Sequence, residues 1–370
     1  MRRSRRGRGE GSIYQRADGY WCANVSAGYS AEGNRRRKTV YGSTKAEVQE
    51  KLRQVASEIA AGSPVEAQKL TLAEYLDRWL RTIKQSVAPT SWKRYEYAVA
   101  NQLKPFIGGV RLAKVEPVHV EQLYVTLQAN GCSPRVIQLA GVTLVAALEH
   151  AVSLRLLRFN PGRSIRKPLV PRGEMKVWDA ANVALFLKAA MSDRLHAMYV
   201  LALSSGLRQG ELIGLQWPDI DFDGDAVTVQ RSLEEISGKV RIKEPKTGKG
   251  HRIDLPQFAM EAMRDHRADM LAEGNIAAPV FCAPEGGWLR KGNVYRRSFM
   301  PMVKAAGVPR IRFHDLRHTH ATLLLLAGEN VKVVSERLGH ASIKVTLDTY
   351  SHVLPSMQKA AAEKLQRLLG

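Results

Sequence analysis

The sequence predicts an α+β, multidomain protein: a small three-stranded sheet with one helix, then a helical bundle, then a mixed, mainly helical region with a small antiparallel sheet. Three observations carry this. Near the N-terminus, short aromatic and β-branched segments are punctuated by Gly and Asp. From about residue 68 to 160, apolar residues recur every three or four positions. Beyond 176 both patterns occur in turn. A chain of 370 residues is long enough for two domains, or three with one small.

The first domain is expected over 1–62. Segments Gly11 to Arg16, Tyr20 to Ser26 and Arg36 to Tyr41 read as an antiparallel meander, separated by Ala17-Asp18-Gly19 and a stretch around Glu32-Gly33-Asn34. Thr44 then caps a helix through Ala60, with Val48, Leu52, Val55 and Ile59 on one face. The second domain spans 68–160. It opens with the capping-box pattern Thr71-Leu-Ala-Glu74, and further helices start near Ser91 and run over Val118 to Gln128 and Pro134 to Leu154. Its Trp and Tyr residues fall at helical spacing, which suits a core.

Between Arg155 and Lys176 the chain carries seven Lys or Arg, one acid and three prolines. Prolines at that density do not continue a helix, so 161–175 reads as a semi-extended basic linker. The last domain, 176–370, starts with a helix capped by Asp179 and another over Arg194 to Ser204. Ala226 to Glu235 and Gly238 to Lys243 alternate like a hairpin, and His251 to Leu255 adds a third strand. Helices are expected at 257–272, 292–306, 315–327, 331–338 and a tail at 356–368.

Fifty-six Lys and Arg against 35 Asp and Glu leave a net charge of +21. So basic a chain repels itself and points to a polyanionic partner, nucleic acid before any other, although a ribosomal or merely basic protein has the same composition. The start, MRRSRRGRGE, has five Arg and no apolar stretch behind it, unlike a secretory signal. No run of about 18 apolar residues occurs, so no membrane partner is expected. Cys22, Cys132 and Cys282 are too far apart for a disulfide framework or a zinc cluster, and a reducing cytoplasm is the expected location. Arg35, Arg36, Arg37 and Lys38 on the third strand are candidate DNA contacts, or else a charged edge that blocks sheet aggregation. Arg163, Arg166 and Lys167 in the linker are candidates for tracking a phosphate backbone.

Four fragments hold the remaining chemistry: Gly206-Leu-Arg-Gln-Gly-Glu-Leu212, Glu244-Pro-Lys-Thr-Gly-Lys-Gly250, Phe313-His-Asp-Leu-Arg-His-Thr-His320, and Leu338-Gly-His340 followed by Thr349-Tyr350. In order and spacing, over about 175–353, they resemble the tyrosine recombinase (phage integrase) family. The helical domain and the small sheet domain also resemble, less specifically, the core-binding (SAM-like) and arm-binding domains of three-domain integrases.

The resemblance implies a site-specific recombinase that breaks and rejoins DNA without metal, ATP or other cofactor. Tyr350 is then the nucleophile, forming a 3′-phosphotyrosyl link and freeing a 5′ hydroxyl. Cleaving a phosphodiester requires stabilisation of a phosphorane gaining negative charge, and Arg208 and Arg317 can fork onto its oxygens. By the same resemblance Lys246, on a turn, protonates the leaving oxygen, with Lys243 and Lys249 as neighbours that compete for the role. His314 assists proton transfer, His340 hydrogen-bonds the phosphate, and Glu211 orients the basic groups. Tyr295 lies upstream of the His-x-x-Arg fragment and does not fit as the nucleophile.

His314 and His318 are also spaced like two zinc ligands, but no HExxH glutamate accompanies them. His318 and His320 are therefore expected on the surface or behind the reacting groups. The implied partners are double-stranded DNA with core and arm-type attachment sites and three further copies of the chain in a tetramer. A host DNA-bending protein and an excision factor are candidate accessories, at the nucleoid. An Xer-like or conjugative-transposon recombinase, a type IB topoisomerase and a DNA-binding regulator without catalysis are the competing readings. The extra N-terminal domain favours a phage or integrative-element integrase, and the full residue set disfavours the regulator.

Overall fold

The computed structural model describes residues 12–29, 35–60, 69–171, 175–236, 238–243, 250–275, 279–351 and 355–369. The chain divides into two compact units, Met1–Arg172 and Gly173–Gly370.

The first unit begins with strands β1 (Ser12–Gln15), β2 (Trp21–Tyr29) and β3 (Arg35–Gly42), paired antiparallel in that order. The β1–β2 turn uses Gly19 at φ +85°, with its amide bonded to the Arg16 carbonyl. Helix α1 (Lys45–Ala60) covers one face, its Val48 and Val55 buried with Cys22, Ala23 and Val25. The Thr44 hydroxyl accepts from the Glu47 amide, the expected cap.

The bundle follows. Helix α2 (Leu72–Ile83) starts at a complete capping box, Thr71 and Glu74 exchanging side-chain and backbone bonds. Helix α3 (Pro89–Ala98) runs through a π-helical turn, Val99–Leu103, into the short α4 (Lys104–Ile107). Helices α5 (Pro117–Ala129) and α6 (Pro134–Ser153) complete the bundle. Tyr75 and Trp79 are core residues, and the Tyr75 hydroxyl donates to the Ala147 carbonyl at 2.9 Å. Among the described residues α6 is the one helix long and apolar enough to cross a membrane. Ile137, Ala140, Leu144, Ala147, Leu148 and Ala151 of α6 are instead buried in the bundle core. Packing continues past the last helix: Asn160 donates to the Val145 carbonyl, and Ile165 packs against the same core.

The second unit is built around Trp178, Phe186, Tyr199, Phe299 and Phe313, whose neighbouring rings lie 4.8 to 6.2 Å apart. Asp179 caps helix α7 (Ala180–Ala189), as expected. Helix α8 (His196–Ser205) is nearly all buried, and the short α9 (Gln209–Ile213) follows it.

The expected hairpin forms at its turn end only, and its first strand is divided. The predicted strand 226–235 is two strands in two sheets, β5 (Ala226–Val229) and β6 (Ser232–Ile236). β5 sits between β4 (Ile220–Asp221) and β8 (His251–Asp254), whereas β6 pairs with β7 (Lys239–Lys243). The break falls at Gln230–Arg231, where the Arg231 guanidinium turns to a buried carboxylate, Asp219. β7 and β8 therefore belong to different sheets.

Helix α10 (Gln257–Ala272) has the expected bounds. The helix expected at 292–306 is α11 (Lys291–Asn293), a π-helical stretch Val294–Phe299, and α12 (Met300–Ala305). Helices α13 (Asp315–Leu326) and α14 (Val331–Arg337) follow, then α15 (Ile343–Tyr350), which the sequence reading did not include. The tail helix α16 (Pro355–Leu369) leaves Leu365, Leu368 and Leu369 exposed.

Candidate functional site: two arginines, four histidines and a buried tyrosine

Arg317 projects from the first turns of α13 into the protein, only 4% exposed. One guanidinium nitrogen donates to the Gly206 carbonyl at 2.8 Å and another to the Leu338 carbonyl at 2.5 Å. Among the described residues it forms no ion pair with a carboxylate. Burial, and then the charge of Arg208, pull its proton affinity down to about 10, which leaves it charged at neutral pH.

Both carbonyls belong to tight chain reversals. Gly206 ends α8 at φ +69°, and a Cβ there would meet the His320 ring at 2.6 Å and Leu338 at 2.8 Å. An L side chain is thus refused twice, by backbone conformation and by space. Gly339 ends α14 at φ +61°, with the Gly339 amide donating to the Glu336 carbonyl and the His340 amide to the Ser335 carbonyl. This paired closure turns the chain so that His340 follows directly.

Arg208 precedes α9 with its side chain 42% exposed. The carboxylate of Glu211, itself buried, accepts from the Arg208 guanidinium at 2.7 Å and from its backbone amide at 2.9 Å. One oxygen thus caps the helix while the other fixes the side chain.

His314 stands at the N-terminus of α13 with an exposed edge. Crowding by protein, then the charge of Arg317, lowers its proton affinity. The His340 Nδ1 lies 2.8 Å from the hydroxyl of buried Thr346, and burial followed by the Arg317 and Arg208 charges takes His340 down to about 4. Tyr350, at the end of α15, is 1% exposed and packs with Ala321, Leu325, Val334 and Leu338. Burial pushes its hydroxyl up to about 12, while Arg317 opposes that rise.

Arg208, His314, Arg317, His340 and Tyr350 are therefore brought together, with Glu211 behind Arg208. Lys246 lies outside the described residues, as does Lys249. The competing Lys243 is paired with Glu234 at 2.8 Å.

His318 takes the inner of the two places expected for it, directly behind a reacting group: its Nδ1 is 2.9 Å from the Tyr350 hydroxyl. His320 likewise stands behind the site rather than on the surface: it is buried, with Nδ1 2.8 Å from the Leu203 carbonyl. With His320 turned away, the three histidines do not converge, and no metal-holding group occurs among the described residues. Two further residues escaped sequence reasoning. His251 on β8 lies under Gly339, within 3.1 Å of where a Cβ would sit, and its buried Nε2 has no hydrogen-bond partner among the described residues. Lys291 has its proton affinity lowered by burial and feels Glu234, Glu235 and Glu211. Neither lies in a recognisable motif, so only the tertiary placement reveals them.

Of the DNA-contact candidates, Arg35, Arg36, Arg37 and Lys38 lie on β3, with Arg37 exposed. Arg166 and Lys167 are exposed, but Arg163 is engaged by Glu149 through two bonds of 2.8 and 2.9 Å. It offers less free charge than the linker pattern suggested.

Comparison with known proteins follows the same lines. Residues 177–357 match the Phage integrase family, and residues 71–128 match the "Phage integrase, N-terminal SAM-like domain". A protein of Caldanaerobacter subterraneus subsp. tengcongensis named "Tyrosine recombinase XerC-like" is 29% identical over 94% of this chain and 96% of its own length. The ICEBs1 integrase of Bacillus subtilis is 24% identical over 97% of this chain and 100% of its own. Among solved structures, the Tn1549 transposon integrase in complex with a circular intermediate DNA superposes with a TM-score of 0.69 at 22% identity, covering 80% of this chain and all of that one. A lambda integrase tetramer bound to a Holliday junction gives 0.58 at 20% identity, over 89% of this chain and 95% of that one.

Two predictions follow from the geometry. Arg317→Lys leaves at least one of the two carbonyls unpaired in a dry site, at a cost of about 1–3 kcal/mol. A denaturant midpoint equal to that of the wild type would contradict the bridging role. The second concerns pH. His318, His320 and His340 are each held near 4 in the folded state against an ordinary 6.5, so the unfolded chain takes up protons first. Stability is complete above the unfolded value and drains as pH falls from 6.5 toward 4. His320→Gln should flatten that slope by up to about 1.4 kcal/mol per pH unit. An unchanged slope in urea titrations across this range would reject the assignment.

Proposed function

The chain belongs to the phage integrase family of tyrosine recombinases, and from that premise we propose how its residues carry out site-specific DNA recombination for a phage or integrative element. The observation that carries the reading is Arg317: a buried cation without a carboxylate partner is costly, and a scissile phosphate supplies the missing anion.

In this reading Arg208 and Arg317 hold the non-bridging oxygens of one phosphodiester and stabilise the charge that grows on them during attack. Glu211 sets the direction of Arg208 through the bond at 2.7 Å. His340 donates to the phosphate through its free Nε2, since its Nδ1 is occupied with Thr346. Tyr350 attacks, the 3′-phosphotyrosyl link forms, and the 5′ oxygen leaves with a proton from Lys246. His314 assists the proton traffic at the mouth of the site. The bond energy stays in the ester, so rejoining to another strand needs no ATP. Two successive exchanges of strand pairs pass through a Holliday junction and require four copies of the chain.

The exposed leucines at the end of α16 suit docking on a neighbouring subunit in such a tetramer. The helical bundle and basic linker grip the core site, and the small sheet, with Arg35, Arg36, Arg37 and Lys38 on β3, binds arm-type DNA. Cytoplasmic action at the nucleoid, with a host bending protein and an excision factor as accessories, completes the reading. An Xer-like recombinase is the alternative, favoured by the XerC-like relative that matches over 94% of this chain.

A nicked, site-containing duplex tests the chemistry. A covalent protein–DNA complex should form on a denaturing gel, persist in EDTA and vanish in Tyr350→Phe. Its survival in that variant would remove Tyr350 from the mechanism. For the small sheet domain, deleting residues 1–62 should spare cleavage of the core site while impairing integration on arm-containing DNA. Parallel loss of both would argue against separate arm recognition.

A further inference from the structure

The Tyr350 hydroxyl has a partner that the family pattern does not assign. His318 stands one helical turn beyond His314 on α13, so the two rings share a face. They meet edge to face, with centroids 5.0 Å apart at 83°. His318 in turn lies against Tyr350, ring centroids 5.7 Å apart, with Nδ1 at 2.9 Å from the phenolic oxygen. From His314, the residue to which proton transfer is otherwise given, the path to the nucleophile thus runs through His318.

A buried phenol keeps its proton and needs an acceptor. His318 supplies one, because burial and the neighbouring His314 keep its imidazole neutral. Arg312, Arg317 and Asp315 also act on the ring, two cations opposing protonation and one carboxylate favouring it. With the ring proton on Nε2, the Nδ1 lone pair faces the hydroxyl.

We propose that His318 is the general base of strand cleavage, taking the Tyr350 proton as the oxygen attacks phosphorus, and the general acid that returns it on religation. This rests on the recombinase reading and deepens it. As the Oη–P bond forms, the Oη proton moves to Nδ1, and the imidazole becomes an imidazolium with protons on both nitrogens. The P–O5′ bond breaks and its electron pair stays on the 5′ oxygen, which takes a separate proton from the acid on the leaving side. In reverse, an incoming 5′ hydroxyl attacks, the P–Oη bond breaks, and Nδ1–H protonates the departing tyrosinate.

The proton moves together with attack rather than before it, since the free phenol and imidazole are both held far on the neutral side. Charge arriving on the phosphate raises the proton affinity of His318 at the moment the phenol must lose its proton. Arg317 favours the tyrosinate from the other side.

Single-turnover cleavage by the full chain separates this role from the others. Two nicked substrates are compared, one with an ordinary scissile phosphate and one with a 5′-bridging phosphorothiolate, whose thiolate leaves without an acid. His318→Gln keeps a hydrogen-bonding side chain but is no base. It should slow cleavage roughly 100-fold or more on both substrates. Gel-shift affinity for the same DNA should stay near that of the wild type. The log rate of His318→Gln should climb with pH at unit slope, as hydroxide replaces the missing base, where the wild type is flatter. His318→Ala is the second variant, expected to behave alike. Wild-type rates in His318→Gln would overturn the base assignment alone, as would rescue by the phosphorothiolate, which places the defect on the leaving side. A covalent complex formed by Tyr350→Phe would instead overturn the recombinase site itself, and His318 with it.

Discussion

A guanidinium taken out of water costs several kcal/mol, and the fold accepts this at Arg317 because the group fastens three distant pieces of chain. Its two carbonyl partners lie 111 residues before it and 21 after it. One ends the helix that leads to Arg208, and the other ends the helix that leads to His340. Each carbonyl is presented by a left-handed glycine reversal, so the arginine reads backbone shape rather than side-chain identity. Carbonyl oxygens satisfy the hydrogen bonds but do not cancel the charge. A carboxylate partner would have done both, and would have left nothing for a phosphate to neutralise.

The surrounding histidines follow from that choice. Burial first, and then the charge of Arg317 among others, makes protonation unfavourable, so His314, His318 and His340 all hold a proton less readily than a free imidazole. Neutral imidazoles keep lone pairs, which a proton-transfer site needs. The same groups become easier to protonate when an anion enters. Charge, hydrogen bonding and acid–base readiness are therefore coupled through one side chain, and Glu211 bonds the outer arginine while its charge also reaches Arg317.

Much of this was legible in the sequence because it is local. Capping residues Thr44, Thr71 and Asp179 sit where their side chains close helix starts, and helical periodicity marks nearly every long helix. The motif residues Arg208, His314, Arg317, His340 and Tyr350 do converge. What escaped depends on packing between distant segments. Helix α15, only eight residues, contains Val345 and three Thr or Ile residues of weak helix propensity and is held by α14 rather than by its own preference. The break between β5 and β6 needs Asp219 in place before Arg231 can turn toward it. His318 shows in the sequence only its spacing from His314, since its partner Tyr350 lies 32 residues later in the chain.

The wall around Tyr350 has a consequence for safety as well as for speed. A phosphotyrosine ester is hydrolysable, and hydrolysis would turn a temporary nick into a lasting broken strand. Ala321, Leu325, Val334 and Leu338 pack with the aromatic ring, an apolar wall that disfavours a loose water beside it. A 5′ hydroxyl arrives tethered to its own duplex and enters from the phosphate side. With Tyr350 as the proposed nucleophile, this apolar packing would favour a tethered 5′ hydroxyl over free water by direction of approach, and so guard the rearranged DNA against a lasting break.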